Sequence, residues 1–178
     1  MASPRSRSAF MPNLIKNAAV IADDWAVLDK ADAPAEQIVP TGKVIIPLST
    51  WLAQKEQLQT REPAQTGLWL DSDEEPDAIS ADLEHFNVIA VNFPKFADGR
   101  GYSIARILRE QLHYTGELRA IGDVLMDQLF YMKRCGFDAF AVRADRDAEK
   151  ALAGLADFTV TYQASVDQPD PLFRRRMH

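Results

Sequence analysis

Cysteine, histidine and glycine are scarce in this 178-residue chain, which has one cysteine, three histidines and eight glycines. The single Cys135 excludes an internal disulfide, and it excludes a four-cysteine zinc or iron–sulfur site built from this chain alone. We therefore expect a reducing compartment. His85, His113 and His178 are too scattered to act as paired ligands, so we expect no metal site.

Long apolar runs are also lacking. No stretch approaches the roughly 18 apolar residues that cross a bilayer, and Arg5 and Arg7 are not followed by the apolar part of a signal peptide. A net charge of -6 and a pI near 5.1 disfavour nucleic acid as a partner, because phosphate binding relies on clustered Lys and Arg. We expect a cytoplasmic protein whose local basic loop could still bind a small anion. Its oligomeric state stays open.

Short apolar strands alternate with helices from Lys43 onward, which predicts an α/β fold with a mainly parallel sheet. This sheet is either an open doubly wound sheet or a partial (β/α) barrel. An N-terminal β-hairpin is predicted before it, from apolar residues 14–21 and 25–28 around Asp23 and Asp24. We expect a single α/β domain over residues 13–165, a disordered tail at 1–12 and a C-terminal tail at 166–178. The predicted strands after the hairpin are residues 44–46, 67–70, 88–92, 118–121, 139–142 and 159–162.

The most informative stretch, residues 93–103, joins a predicted strand to a predicted helix over 101–113. In both candidate folds, ligands bind at the carboxyl ends of the strands. A helix start entered through glycines can also offer N–H groups to an anion, although the stretch matches neither a P-loop nor a dinucleotide motif. Alternatively, Gly101 only lets the helix pack against the sheet. The candidate binding residues here are Lys95, Asp98, Arg100, Tyr102, Ser103 and Arg106.

A second polar motif spans the next predicted strand and helix. Arg119 lies in the strand, where a buried guanidinium must be paired, and Asp98, Asp123 or Asp127 could be its partner. The pair would be either structural or part of an anion clamp. Asp123 is predicted to cap a helix that begins at Val124, and Asp127 lies one turn further, where the helix dipole stabilises a carboxylate. That helix is apolar almost all round, so we expect it to be largely buried.

Cys135 ends the same predicted helix, immediately before Gly136. Gly136 is typical of a helix C-cap, and the negative end of the helix dipole disfavours a thiolate. No histidine is nearby in sequence to act as a base. We expect a buried, structural cysteine.

Three stretches closely resemble the bacterial DUF934 family: VIAVNFPKFADGRGYSIAR at 88–106, GELRAIGDVL at 116–125 and RCGFDAF at 134–140. The resemblance extends from about the first hairpin to Gln163. Members of that family are commonly labelled probable oxidoreductases of sulfite reduction, because their genes tend to lie beside those for assimilatory sulfite reductase. The resemblance therefore implies a role in sulfur assimilation.

Reducing sulfite to sulfide requires an electron carrier, whereas this chain has one cysteine and no nucleotide-binding motif, so we expect no cofactor. The favoured hypothesis is an accessory protein of assimilatory sulfite reduction. It would bind sulfite reductase, its electron donor or an anionic substrate through a basic site. The cations expected in this site are Lys95, Arg100, Arg106 and Arg119.

The alternative hypothesis is a small-molecule α/β enzyme. In it, Asp98 or Asp123 would act as the acid/base, and Lys95 or Arg119 would stabilise an anion. Whether the protein is an enzyme stays open at this stage.

Overall fold

The structure is a computed structural model. It describes residues 13–95, 97–143, 145–153, 155 and 165–169. The fold is built around an eight-stranded sheet. The strand order is β2-β1-β8-β7-β6-β5-β4-β3, with β3 to β8 parallel and β1 antiparallel to both neighbours. The parallel strands follow chain order without the reversal of a doubly wound sheet, so the partial barrel is the correct alternative. The strands are β1 (Asn13–Lys16), β2 (Ala19–Ala22), β3 (Ala26–Val27), β4 (Val44–Pro47), β5 (Thr66–Leu70), β6 (Val88–Phe93), β7 (Glu117–Gly122) and β8 (Ala139–Ala141).

The helices are shorter than the sequence predicts. Residues 48–58 form two short helices, and the helix predicted to begin at Val124 begins later because Leu125 is extended (φ -115, ψ 156). The predicted strand over 159–162 and the tail over 1–12 lie outside the described residues. The helices are α1 (Leu48–Ala53), α2 (Lys55–Leu58), α3 (Arg100–Arg106), α4 (Leu129–Cys135) and α5 (Ala148–Ala153), with a π-helical turn at Ile107–Gln111 and 3-10 turns at Pro34–Glu36, Pro63–Gln65, Pro76–Ile79, Leu83–His85 and Met126–Gln128.

The N-terminal hairpin has a different turn from the predicted one. β1 and β2 are joined by Asn17 and Ala18, which both have positive φ (52 and 56) as a two-residue hairpin turn of type I′ requires. The prediction that Asp23 and Asp24 form the turn was wrong, because β3 does not return along β2. It pairs in parallel with β4 at the opposite edge of the sheet.

The curl of the sheet follows from this connection. Only residues 23–25 separate β2 from β3, yet these strands are the two edges of the sheet. The four Cα–Cα steps from Ala22 to Ala26 reach at most about 14 Å. The two edges must therefore approach each other, which a flat eight-stranded sheet does not allow.

Both faces of the parallel strands are buried, which explains their nearly continuous apolar sequences. The outer face packs against the helices and includes Leu68, Leu70 and Val91. On the inner face, Trp69 and Ala90 form a second cluster with Ile45 and Val88.

A buried ion pair crosses the inner face. Arg119 is 1% exposed, and its Nη1 lies 2.7 Å from Oδ2 of Asp23, while its Nε lies 2.8 Å from Oε1 of Glu117. Lys16 of β1 completes the network by binding the other Glu117 oxygen. The network thus joins β1, β7 and the segment between β2 and β3.

The prediction that Arg119 is buried and paired is confirmed, whereas its predicted partners are wrong. Asp98, Asp123 and Asp127 all lie beyond the carboxyl ends of strands, away from the inner face. The true partners are Glu117, two positions away on the same strand, and Asp23, which is 96 positions away in sequence. Strand periodicity carries no information about such a distant partner.

We expect Asp23→Ala to lower the free energy of unfolding by about 3 to 5 kcal/mol, because it removes one of the two carboxylates that pair with the buried Arg119 charge. Asp24→Ala is the matched control. The Asp24 carboxylate is adjacent in sequence and forms an exposed ion pair with Lys43, which contributes about 0 to 1 kcal/mol. Urea unfolding of both variants measures the difference. Equal losses in the two variants would contradict a special role for the buried pair.

Candidate functional site

The loop after β6 and the exposed side of α3 carry most of the candidate binding residues. Gly101, Ile104 and Ala105 form the buried side of α3, so the 3.6-residue period leaves Arg100, Ser103 and Arg106 facing solvent. Tyr102 is half-buried and contacts Tyr131 of α4, with ring centroids 4.8 Å apart. We call this surface the α3 face; it consists of Lys95, Arg100, Tyr102, Ser103, Arg106 and Tyr131.

Arg100 is held in place by two residues that come from different loops. Its Nε lies 3.0 Å from Oδ1 of Asp98, and its Nη2 lies 2.7 Å from Oδ2. The same Nη2 donates to Oγ of Ser72 (3.0 Å), and this hydroxyl in turn donates to Asp98 (2.8 Å). Ser72 follows β5, so the parallel neighbours β5 and β6 bring this triad together.

The Asp98 carboxylate occupies the predicted anion position at the start of α3. Oδ1 of Asp98 accepts the backbone N–H of Arg100 at 3.1 Å, in addition to its side-chain bonds. Hydrogen bonds from the Arg100 side chain, then from this backbone N–H and from Ser72, hold the pKa of Asp98 well below its usual 3.8. The protein's own carboxylate thus fills the helix start and balances the charge of Arg100.

Next to this triad lies a second polar group that sequence reasoning missed. Asn92, at the end of β6, donates to Asp71 after β5 (3.0 Å), and Lys30 binds Asp71 (3.2 Å) and Glu74 (2.9 Å). Asp71 and Asn92 both lie at the ends of predicted strands, and this position could have identified them from the sequence. Lys30 comes from a distant loop, and no sequence pattern links it to this site.

Two glycines of the predicted motifs have packing roles. A Cβ on Gly101 would lie 2.7 Å from the Phe93 ring, so the alternative that Gly101 lets the helix pack on the sheet is confirmed. Gly122 ends β7 with φ +90, and a Cβ there would lie 2.4 Å from Asn92 Oδ1 and 2.5 Å from the Phe93 carbonyl oxygen. Both glycines therefore let the carboxyl edge of the sheet close tightly.

Asp123 does not cap the following helix as predicted. The next helical turn begins at Met126, and Asp123 instead lies 2.9 Å from Nη1 of Arg143, which follows β8. Arg143 also donates two bonds to Asp145, through Nε and Nη2. The loops after β7 and β8 are thus joined by an ionic cluster.

Arg106 and Tyr131 converge on the buried Cys135. Burial, the largest effect, raises the pKa of the thiol, and the nearby Arg106 and Tyr131 side chains oppose this rise. Gly136 caps α4 in the left-handed conformation (φ 113), as predicted. Burial also raises the pKa of Tyr102 to about 12, so its phenol stays protonated at neutral pH.

The observed burial of Arg119, of Asp127 and of the segment from Val124 to Cys135 bears on the remaining expectations. Arg119 lies inside the curled sheet, apart from the α3 face, whereas exposed Asp127 is close enough for its charge to help raise the Tyr102 pKa. The segment from Val124 to Cys135 is only half buried, because Met126 (49%) and Tyr131 (51%) face solvent. Some of its apolar side chains therefore lie at the surface and do not pack in the core.

Among the described residues, no group of three or more His, Cys, Asp or Glu side chains could hold a metal ion. None of the helices in that part of the chain has the length and apolar character required to span a membrane.

A family model described as a bacterial protein of unknown function, DUF934, matches residues 67–173. The chain belongs to this family. No curated protein and no solved structure matches the chain significantly. The matched region begins at β5 rather than at the first hairpin and extends past Gln163. The region that matches the DUF934 model includes Ser72, Asp98, Arg100 and Arg119, whereas Asp23 precedes it.

We expect the Asp98 carboxyl to stay ionised as the pH falls from 7 to 4. The pKa of this carboxyl is lower in the folded protein than in the unfolded chain. The stabilisation that the ionised carboxyl provides is therefore fully present above pH 3.8, and it is lost only as the pH falls through the pKa of the folded protein. The ¹³Cγ chemical shift of Asp98 measures this directly. Arg100→Ala should move the midpoint upward; an unchanged midpoint in this variant would contradict the triad.

Proposed function

We propose that this DUF934 protein is an accessory protein of assimilatory sulfite reduction, and that it docks through the α3 face onto sulfite reductase or its electron donor. The observation that carries the proposal is the fixed, outward-facing Arg100 beside the Tyr102–Tyr131 pair. The sulfite context comes from the label that the family carries. The docking role comes from the chemistry of the surface.

The composition of the α3 face is typical of protein interfaces. Tyrosine and arginine are enriched in interfaces and among the hot spots that carry most of the binding energy. Arg100 has a side chain that is 61% exposed although it is bound to Asp98 and Ser72, and Tyr131 is 51% exposed although its ring packs edge-to-face against Tyr102. Side chains ordered before binding lose less entropy when a partner docks.

The charge of the α3 face favours a partner with surface carboxylates. Lys95 and Arg106 are exposed cations on a chain whose net charge is -6. Among the hydrogen bonds within the described residues, Arg100 donates only through its backbone N–H, Nε and Nη2, so Nη1 can face a partner. Arginine binds carboxylates with a fixed geometry, which gives such a contact specificity. A small anion such as sulfite could use the same cations.

The enzyme hypothesis receives less support from the same geometry. A general acid or base near neutral pH needs a pKa near that pH. Asp98 has a pKa well below its usual range, and Asp123 is paired with Arg143 at 2.9 Å. Asp98 is therefore held as a structural anion, and the Asp123 side chain is engaged in an ion pair. Of the two candidate anion stabilisers, Arg119 is enclosed by Asp23 and Glu117, whereas Lys95 is exposed on the α3 face.

We expect Arg106→Glu and Arg100→Ala each to weaken the retention of sulfite reductase, or of its electron donor, on the immobilised protein by at least tenfold, about 1.4 kcal/mol. Extracts of sulfate-grown cells supply the partners, and the retained proteins are identified by mass spectrometry. The same variants should slow growth on sulfate as the only sulfur source.

Lys43→Ala is the control, because Lys43 is an exposed cation paired with Asp24 at the other side of the sheet. Circular dichroism checks that every variant is folded. Full retention by both arginine variants would remove the α3 face as the docking surface. Retention of neither protein by the wild type would remove the accessory role itself.

A further inference from the structure

One edge of the sheet is an exposed strand without charged residues. β2 has the sequence AVIA, and its residues Ala19, Ile21 and Ala22 are exposed. Among the described strands, β2 pairs only with β1. Sheet edges are usually protected by a very short strand, by lysine or proline, or by a bulge. β3 at the other edge is only two residues long, whereas β2 has four residues that include neither lysine nor proline.

The hairpin turn determines which backbone groups of β2 face outward. Lys16 and Ala19 are the first and last residues of this turn, so they form a hydrogen-bonded pair. Hydrogen-bonded and non-hydrogen-bonded pairs alternate along antiparallel strands, so Ile21 also bonds to β1. The N–H and C=O groups of Val20 and Ala22 therefore point away from β1, where a further strand can pair with them.

The charges beside β2 allow two copies of the chain to approach each other there, although each copy has a net charge of -6. The charged residues next to the strand are each paired with an opposite charge. These pairs are Lys16–Glu117, Asp23–Arg119 and Asp24–Lys43. Like charges directly opposite each other would destabilise paired strands. This edge presents apolar side chains between neutralised ion pairs, so it is compatible with a second copy of itself.

We propose that two copies of the chain pair through β2 in antiparallel orientation, centred on Ile21. Outward-facing residues must lie opposite each other in such a pair. Only a pair centred on Ile21 meets this condition for both outward residues, because it places Val20 opposite Ala22 of the second copy and Ala22 opposite its Val20. Each of these two pairs exchanges two backbone hydrogen bonds, and the sheet becomes continuous between the copies.

The same register covers the apolar side chain that β2 leaves exposed. Ile21 is 42% exposed. In the dimer it lies directly opposite Ile21 of the second copy as a non-hydrogen-bonded pair, with Cα atoms about 4.5 Å apart. Apolar cross-strand pairs of this kind stabilise sheets. Two-fold symmetry thus places one residue against itself, and the proposal does not depend on the docking role of the α3 face.

Sedimentation equilibrium measures the association. We expect the wild type to dimerise, and we expect Ile21→Lys and Ile21→Glu each to weaken dimerisation about tenfold, because like charges then face each other across the two-fold axis. An equimolar mixture of the two variants should dimerise again, because lysine then faces glutamate. Ile21 is exposed, so both variants should fold, as circular dichroism would verify. A monomeric wild type, or a mixture that stays monomeric, would overturn the proposal.

Disulfide cross-linking tests the register. Cysteines at position 21 of the two copies would have a Cα separation within the range of about 4.4 to 6.8 Å that a disulfide requires, so oxidation of Ile21→Cys should link the copies. Val27→Cys is the matched control, because Val27 is similarly exposed (46%) on the other edge strand. The native Cys135 is buried and should not react. Equal cross-linking of the two variants, or cross-linking of neither, would overturn the proposal.

Discussion

The ion pair between Arg119 and Asp23 is the contact on which the rest of the architecture depends. It ties the segment between β2 and β3 to β7 across the inner face of the sheet. This segment joins the two edge strands through only three residues, so its position and the curl of the sheet specify each other. The curl in turn sets how closely the loops beyond the carboxyl ends of the strands approach one another.

These loops meet in pairs, and each pair is fixed by an arginine. Arg100 joins the loops after β5 and β6 through Ser72 and Asp98, whereas Arg143 joins the loops after β7 and β8 through Asp123 and Asp145. Arg100 holds the pKa of Asp98 below its usual value, and Arg143 does the same for Asp145. The edge is therefore well suited to present a rigid charged surface, and less suited to proton transfer.

The parts of the fold that depend on local sequence could be predicted. Strand β6, the helix start at Arg100, the buried Cys135 and its Gly136 cap all follow from apolar runs and capping residues. The contacts made by residues far apart in sequence could not. The partnership of Ser72 with Asp98 depends on strand pairing, and that of Asp23 with Arg119 depends on a crossing segment that no local pattern reveals.

We propose the α3 face as an interface for a protein of sulfite reduction. Hydrogen exchange of this protein, measured with and without saturating sulfite reductase or its electron donor, tests this docking. Backbone amides in α3 and around Tyr131 should exchange more slowly in one of the two complexes, with no change around Lys43. Protection confined to other surfaces, or no protection with either partner, would rule out the α3 face as the interface.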